Sequence, residues 1–370
     1  MTKAAELAKM GDVITNNQIG GRRNIVINGS MICSQRGTSS TSTGFVVCDR
    51  FKTNKSGPDI TSTQHTLSTS DTPYSFGLRS SYQVHITDPA TPNTASDYAE
   101  IATTIESQDM AKSGWNYTSS SSKITLSFWV LATVGGTYTV LLRNSDANYA
   151  YTFNYTVTAD TWKKVTHTIS GNSNLVFNDD NGAGLLMFFT LYYGTNYTAT
   201  ATNETWAAFD SNVQVGDYAQ NILATDEAKF EITGIQLEVG SQATPFEHRS
   251  FAEELTLCQR YYRLIDDGDN TSAFVNAAVY TASKAYGVIP LSPPMRTTPS
   301  LEQVTGSDYM QILSNGAGHT FDSYVLSSGN STNKFVRFNN NENFSTVTAS
   351  HSGWFKTANT NAFIALVAEL

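Results

Sequence analysis

Apolar and polar residues alternate with a period of two along much of this chain. From Lys123 onward, Ile124, Leu126, Phe128 and Val130 share one face and Thr125, Ser127 and Trp129 the other, as in a half-buried antiparallel strand. Gly135-Gly136 turns the chain, and Tyr138, Val140 and Leu142 resume the alternation. Tyr149, Tyr151, Phe153, Tyr155 and Val157 then fall on one face, a stripe that reads as core before it reads as a ligand platform. The run from Gly184 to Tyr193 is apolar and strand-sized, and residues 99–110 fit either a strand or a short helix. At Phe230 and Ile232 a new strand begins, slips in phase at Thr233-Gly234 and restarts as Ile235, Leu237 and Val239, which predicts a β-bulge.

The period changes to that of a helix in two places. Ser250 followed by Glu253 forms a capping box, and Phe251, Leu255, Cys258 and Tyr262 recur at helical spacing, predicting a helix over 250–263 with one apolar side. In a chain rich in strand signals, that helix is expected to join two β domains. Thr2–Gly11 reads as a short helix with Ala4, Leu7, Ala8 and Gly11 on one stripe and Met10 beside it. Such a piece is marginal alone, so Leu7 and Met10 are expected to dock on a partner as an anchor. Beyond the linking helix, AFVNAAVY, FVRFNN, GWFKTA and NAFIALVAEL read as strands, the last apolar on both faces. Regular turn signals between many short strands imply sandwiches, of which the jelly roll is a common form. The expected fold is all-β: N-terminal anchor 1–23, jelly-roll β-sandwich 24–249, linking helix 250–263 and a smaller C-terminal β-sandwich 264–370.

The chain has 370 residues, a net charge of -9 and 15% charged residues, well under the usual proportion of about 25%. With no basic stripe to neutralise phosphates, a nucleic-acid partner is not expected. Cys33, Cys48 and Cys258 form no CxxC pair and are expected to be free thiols. Met1–Gln18 has no continuous apolar core and carries Lys3, Glu6, Lys9 and Asp12, unlike a secretory leader. No run reaches the roughly 18–20 apolar residues of a membrane span.

The run GIQLEVGSQATPFEHRSFAEELTLCQRYY, residues 234–262, resembles a segment of structural proteins of tailed bacteriophages, especially fibre and appendage proteins, where it closes a jelly roll resembling carbohydrate-binding modules. NIVINGSM, with its Asn28-Gly29 turn, resembles the opening strand of such modules, and the SFWV, GTYTV, aromatic and DTWKKV strands continue the likeness over roughly residues 24–249. PPMRTTPS resembles a turn in C-terminal β domains of phage fibres. The resemblance implies a virion protein assembled in the host cytoplasm, contacting other virion proteins through its N-terminal segment. A tail fibre or appendage that meets host-surface glycans as a homotrimer is the first expectation. A capsid head fibre or decoration protein is the alternative, and a polysaccharide depolymerase a third. Ser30 stands where the family often has an acidic residue, which weakens the transfer of a structural calcium site.

No constellation argues for catalysis, and no cofactor is expected. His65, His85, His167, His248, His319 and His351 are scattered without metal-ligand spacing, and GxSxG, Walker and dinucleotide motifs are missing. His248 reads as structural, Asp49-Arg50 as a surface ion pair, and Asp266-Asp267-Gly268-Asp269 as a polar turn rather than a calcium loop. Two-acid glycoside cleavage would require carboxylates brought together from separate strands. For glycan binding, a sugar can lie against an aromatic ring whose edge stays polar. Trp115 and Tyr117 in GWNYTSSSS, and Tyr197 and Trp206 in NYTATATNETW, are the candidates, because their polar surroundings predict exposure.

Overall fold

The computed structural model describes residues 23–91, 93–199, 204–342, 344 and 349–370. The chain divides into two compact units, Met1–Glu254 and Leu255–Leu370, and among the described residues the regular elements of both are mostly strands. The N-terminal helix expected over Thr2–Gly11, with Leu7 and Met10, lies outside the described residues.

The first unit is a sandwich of two six-stranded sheets. One sheet runs Ser39–Ser40, Asp59–Thr66, Ser80–Asp88, Lys229–Val239, Lys123–Ala132, Lys163–Ser170, and the other Ala207–Ala208, Tyr149–Val157, Gly136–Asn144, Ala183–Tyr193, Tyr98–Glu106, Lys52–Ser56. The pairings within them are antiparallel. The inward stripes read from the alternation meet between the sheets: Ile124, Leu126, Phe128 and Val130 from one, Tyr138, Val140, Leu142, Tyr151, Phe153, Tyr155, Met187 and Phe189 from the other. Each such side chain contributes roughly 1.5–3 kcal/mol by leaving water. The ambiguous segment is both things in turn, a strand Tyr98–Glu106 and then a short helix Ser107–Ala111.

The phase slip at Gly234 is a bulge, with the pairing to Lys123–Ala132 shifting between Thr233 and Gln236. Gly234 has φ of 62° there, and a Cβ on it would lie 2.8 Å from Leu78 Cδ1. NIVINGSM belongs to neither sheet; the Ile25 amide donates to the Leu237 carbonyl, the Ile235 amide donates to the Gly29 carbonyl, and side chains add to these bonds. Asn28 is fully buried with φ of 60°. Its Nδ2 donates to the carbonyls of Cys33 (2.9 Å) and Asp49 (2.8 Å), and its Oδ1 accepts from the Cys33 amide (3.0 Å). Asp49 and Arg50, expected at the surface, are both buried at 1% exposure. Asp49 accepts from the amide and side chain of Gln35, and Arg50 donates to the Thr104 carbonyl, so backbone and amide groups take the place of water.

The capping box forms as predicted: the Ser250 amide donates to Glu253 Oε2 (2.8 Å) and the Glu253 amide to Ser250 Oγ (3.3 Å). The helix is shorter than expected, Phe251–Cys258, and Tyr262 opens the strand Tyr262–Asp266 instead. Phe251, expected on the apolar side, is 57% exposed, while Glu254 and Cys258, one turn apart, are buried. Glu254 is drawn inward because its carboxylate accepts from the Asn28 amide and Arg249.

The second unit pairs a three-stranded sheet (Tyr262–Asp266, Phe363–Val367, Ser300–Val304) with a seven-stranded one. In the latter the order is Ala317–Phe321, Met310–Ser314, Ser352–Thr357, Val275–Thr281, Lys284–Pro290, Phe335–Asn340, Tyr324–Leu326. Phe363–Val367 is the central strand of its sheet, and Ile364, Ala365 and Leu366 are buried. The Asp266 carboxylate accepts from Gly268 and Thr357, and Asp269 accepts from the amides of Thr271 and Ser272.

Candidate functional site

Two of the four aromatic residues expected in exposed loops are core instead. Trp115 is 3% exposed and packs near Phe177 and Tyr117, with ring centroids 6.5 Å and 6.3 Å away. Trp206 is 6% exposed, its indole N–H donating to the Ser170 carbonyl at 2.9 Å and its ring 5.3 Å from Tyr151. Polar neighbours in sequence misled here, because the loops fold back and carry one large ring each into the sandwich. Tyr117 is half-buried beside Phe177, edge-on at 4.8 Å. The histidines hold structure: His167 stacks on Phe153 at 3.9 Å, His248 meets the Phe76 carbonyl, and His65 joins Glu231.

Tyr197 differs from the other three candidates, for it lines a cavity of about 220 Å³ together with Tyr98, Glu100, Phe188, Tyr193 and Gln214. The cavity lies on the outward side of the sheet that contains Tyr98–Glu106 and Ala183–Tyr193. Along the second of these strands Met187, Phe189 and Leu191 point into the core, so simple alternation assigns Tyr193 to the core as well. A register shift between Thr190 and Tyr192 reverses that assignment. Tyr193 is brought opposite Tyr98 and joins an outward cluster with Leu141, Val215, Phe188, Tyr197 and Tyr218. The segment after Gly194 is tied back over this face: Gly194 donates to the Asp97 carbonyl, Asn196 to that of Ala95, and Gln214 to that of Tyr197.

Three tyrosines meet edge to face, Tyr98 with Tyr193 at 5.8 Å, Tyr98 with Tyr197 at 5.6 Å and Tyr193 with Tyr197 at 5.8 Å. Beneath them is Glu100, 4% exposed, whose Oε1 accepts from Asn54 Nδ2 (2.7 Å) and whose Oε2 accepts from the Tyr193 hydroxyl. Burial pushes the Glu100 carboxyl above its ordinary pKa, while the bonds from Asn54 and Tyr193 and the charge of Lys52 pull the other way. Tyr193 and Tyr98 are raised by burial and then by Glu100, so both stay phenols; the Tyr193 proton goes to Glu100, and Tyr98 keeps a donor. Carboxylate oxygens retain acceptor capacity beyond two bonds, and Gln214 adds an amide. Ring edges, a phenol donor and a fixed acceptor suit a polyhydroxylated ligand. One carboxylate lines the cavity, whereas two-acid glycoside cleavage uses a pair. Among the described residues, no group of three or more His, Cys, Asp or Glu is placed to hold a metal, and no helix is long and apolar enough to cross a membrane.

No protein-family model matches the chain, and no curated protein matches it. Among solved structures it is similar to a CBM4 module, at 11% identity over 58% of this chain and 98% of that one, with a TM-score of 0.28. It is similar to the N-terminal cellulose-binding domain of β-1,4-glucanase C from Cellulomonas fimi, at 10% identity over 57% and 99% of the two chains, with a TM-score of 0.27. A Stig cyclase from Fischerella sp. TAU is similar at 10% identity over 60% and 99%, with a TM-score of 0.34. Likenesses of that size are too slight to carry an argument about this chain.

Proposed function

We propose that this chain is a non-enzymatic structural protein of a tailed-phage virion, a tail fibre or appendage whose first unit contacts host-surface glycans. The observation that carries the binding role is the outward cavity, where Tyr98, Tyr193 and Tyr197 converge over Glu100. A lone, hydrogen-bonded carboxylate favours holding a sugar over cutting it. The virion setting rests on the resemblance of residues 234–262 and of the strands before them to phage fibre proteins, and the same resemblance motivates a homotrimer joined to other virion proteins through residues 1–23.

Binding is tested by printing the full chain on an array of bacterial surface glycans beside Tyr197→Ala and Glu100→Gln. Retention of a defined glycan by the native chain and its loss in both variants, with unfolding transitions preserved, supports the reading. A blank array, or equal retention by the variants, removes it. Labelled antibodies on intact particles test the setting, with decoration at the tail expected and decoration of the head or of no particle counting against it.

A further inference from the structure

The seven-stranded sheet of the second unit turns one face inward to its core and the other outward to solvent. On the outward positions stand Trp354 and Tyr280, each 51% exposed, Val288 at 46%, and the half-buried Tyr286 and Arg337. The register makes them neighbours. Trp354 is opposite Asn276, Val288 opposite Arg337, and Tyr286 opposite both Ala278 and Asn339. Pairing between the two middle strands runs from Ala277–Gly287 to Thr281–Lys284. Past Ala277 they part, and a cleft of about 370 Å³ opens between residues 273–276 and 288–290. Through Asn276 and Val288 that cleft has Trp354 on one flank and Arg337 on the other. Tyr286 lies under the Arg337 guanidinium, 4.2 Å away, and beside Tyr280 at 5.6 Å.

The charge on this sheet is one-sided. Its strands carry Lys284, Arg337 and Lys356 and contain no Asp or Glu, in a chain whose net charge is -9. Lys284 reaches the Asn341 carbonyl and Lys356 the Asn270 carbonyl, while Arg337 Nε donates to Asn339 Oδ1. Among the described residues none of the three pairs with a carboxylate. Arg337 is therefore held in place by a ring and an amide, with guanidinium donors left for an incoming anion. A second copy of the same face would set cation against cation. Exposed rings with one sign of charge and a cleft between them fit a sugar chain that carries acid groups.

We propose that this face is a second binding site, separate from the cavity of the first unit and selective for polysaccharides bearing uronate carboxylates, with Trp354 stacking on a sugar ring and Arg337 pairing its carboxylate. The test measures binding of the full chain to immobilised alginate, polygalacturonate and hyaluronan, each beside its carboxyl-reduced form. At least one acidic polymer should be retained and its reduced form should not. Arg337→Gln should weaken retention about tenfold, as expected when a charge-assisted bond is lost. Trp354→Ala should weaken it several-fold, Val288→Asp should abolish it, and Tyr197→Ala in the first unit should leave it unchanged. All three positions in the second unit are at least partly exposed, so their unfolding transitions should match the native chain. Failure of all three polymers to bind, equal binding of the reduced forms, or indifference to Arg337→Gln would overturn the proposal. So would a native oligomer that Trp354→Ala dissociates, which would make the face a contact between copies.

Discussion

Asn28 offers a sharp test of how the first unit is held together. The residue is fully buried, sits at a left-handed φ of 60°, and satisfies three backbone groups with one side chain. In Asn28→Ala the carbonyls of Cys33 and Asp49 and the amide of Cys33 lose that partner in a place water does not reach. The Cys33 carbonyl keeps the Asp49 amide as a donor; at roughly 1–3 kcal/mol for each of the other two groups, with about 1 kcal/mol more for a Cβ without compensation at positive φ, the loss is about 3–7 kcal/mol. That is a large part of the 5–15 kcal/mol by which a domain of ordinary stability exceeds its unfolded state. Asn28→Gly should lose the same bonds without the backbone strain and stand about 1 kcal/mol above the alanine variant. Guanidinium unfolding followed by tryptophan emission is the assay. Trp115, Trp129, Trp162 and Trp206 are all in the first unit, and the second has Trp354 alone, so the transition of the first unit dominates the signal. A cost below about 1 kcal/mol for Asn28→Ala, the value of a single ordinary hydrogen bond, would refute the account, as would a glycine variant less stable than the alanine one.

Three further outcomes are expected. Trp206→Ala should act as a core deletion, lowering the stability of the first unit by about 3–5 kcal/mol, and a variant of native stability that lost only glycan binding would contradict its burial. Gly234→Ala should cost about 2 kcal/mol in denaturant unfolding, because an L-residue is strained at φ of 62° and the new Cβ meets Leu78; an unchanged midpoint would count against the bulge. The His65–Glu231 pair, 3.1 Å apart, should give stability a pH dependence of defined sign. His65 is raised above 6.5, first by its bond to Glu231, so its contribution is full below that value and fades as pH rises through the folded pKa. Burial pushes the Glu231 carboxyl up, but bonds from His65, Ser81 and Gln83 win and hold it below 4.5, so its contribution is present above 4.5 and fades as pH falls through the folded pKa. The stability difference between the native chain and His65→Ala, measured by thermal melts from acid to mildly alkaline pH, should therefore peak between those limits. A difference independent of pH would show that the pair is not coupled.

Period-two alternation reports which residues share a side of a strand, and this carried the inward stripes of both sheets correctly from sequence to structure. It does not report which side another segment will cover. Trp115 and Trp206 are surrounded in sequence by Ser, Thr and Asn, yet their loops return to the sandwich and bury them. Tyr193 shows the complementary failure: its parity says core, and one bulge after Thr190 turns it outward to meet Tyr98. No residue near it advertises that shift as Gly234 advertises the other bulge, so the cavity over Glu100 was illegible apart from Tyr197. Asp49 and Arg50 were misread for a related reason, since their partners Gln35 and Thr104 are remote in sequence and only the fold supplies them.

The two units turn the same kind of surface to different ends. In the first, Tyr197 and Gln214 from the stretch after Gly194 lie against the outward rings of the strand Ala183–Tyr193, and a sheet face becomes a partly open cavity. In the second, the strand that carries Tyr280 is joined to its neighbour by Ala282-Ser283, a turn too short to lie across the sheet, so its ring stays open to solvent. The length of the connection following an outward aromatic is thus the sequence signal that separates a partly covered site from an open one. Connection length sorts the outward rings: Tyr193, followed by residues 194–206 before the two-residue strand Ala207–Ala208, belongs to a partly covered site, and Tyr280, whose strand ends one residue later and returns after Ala282-Ser283, to an open one.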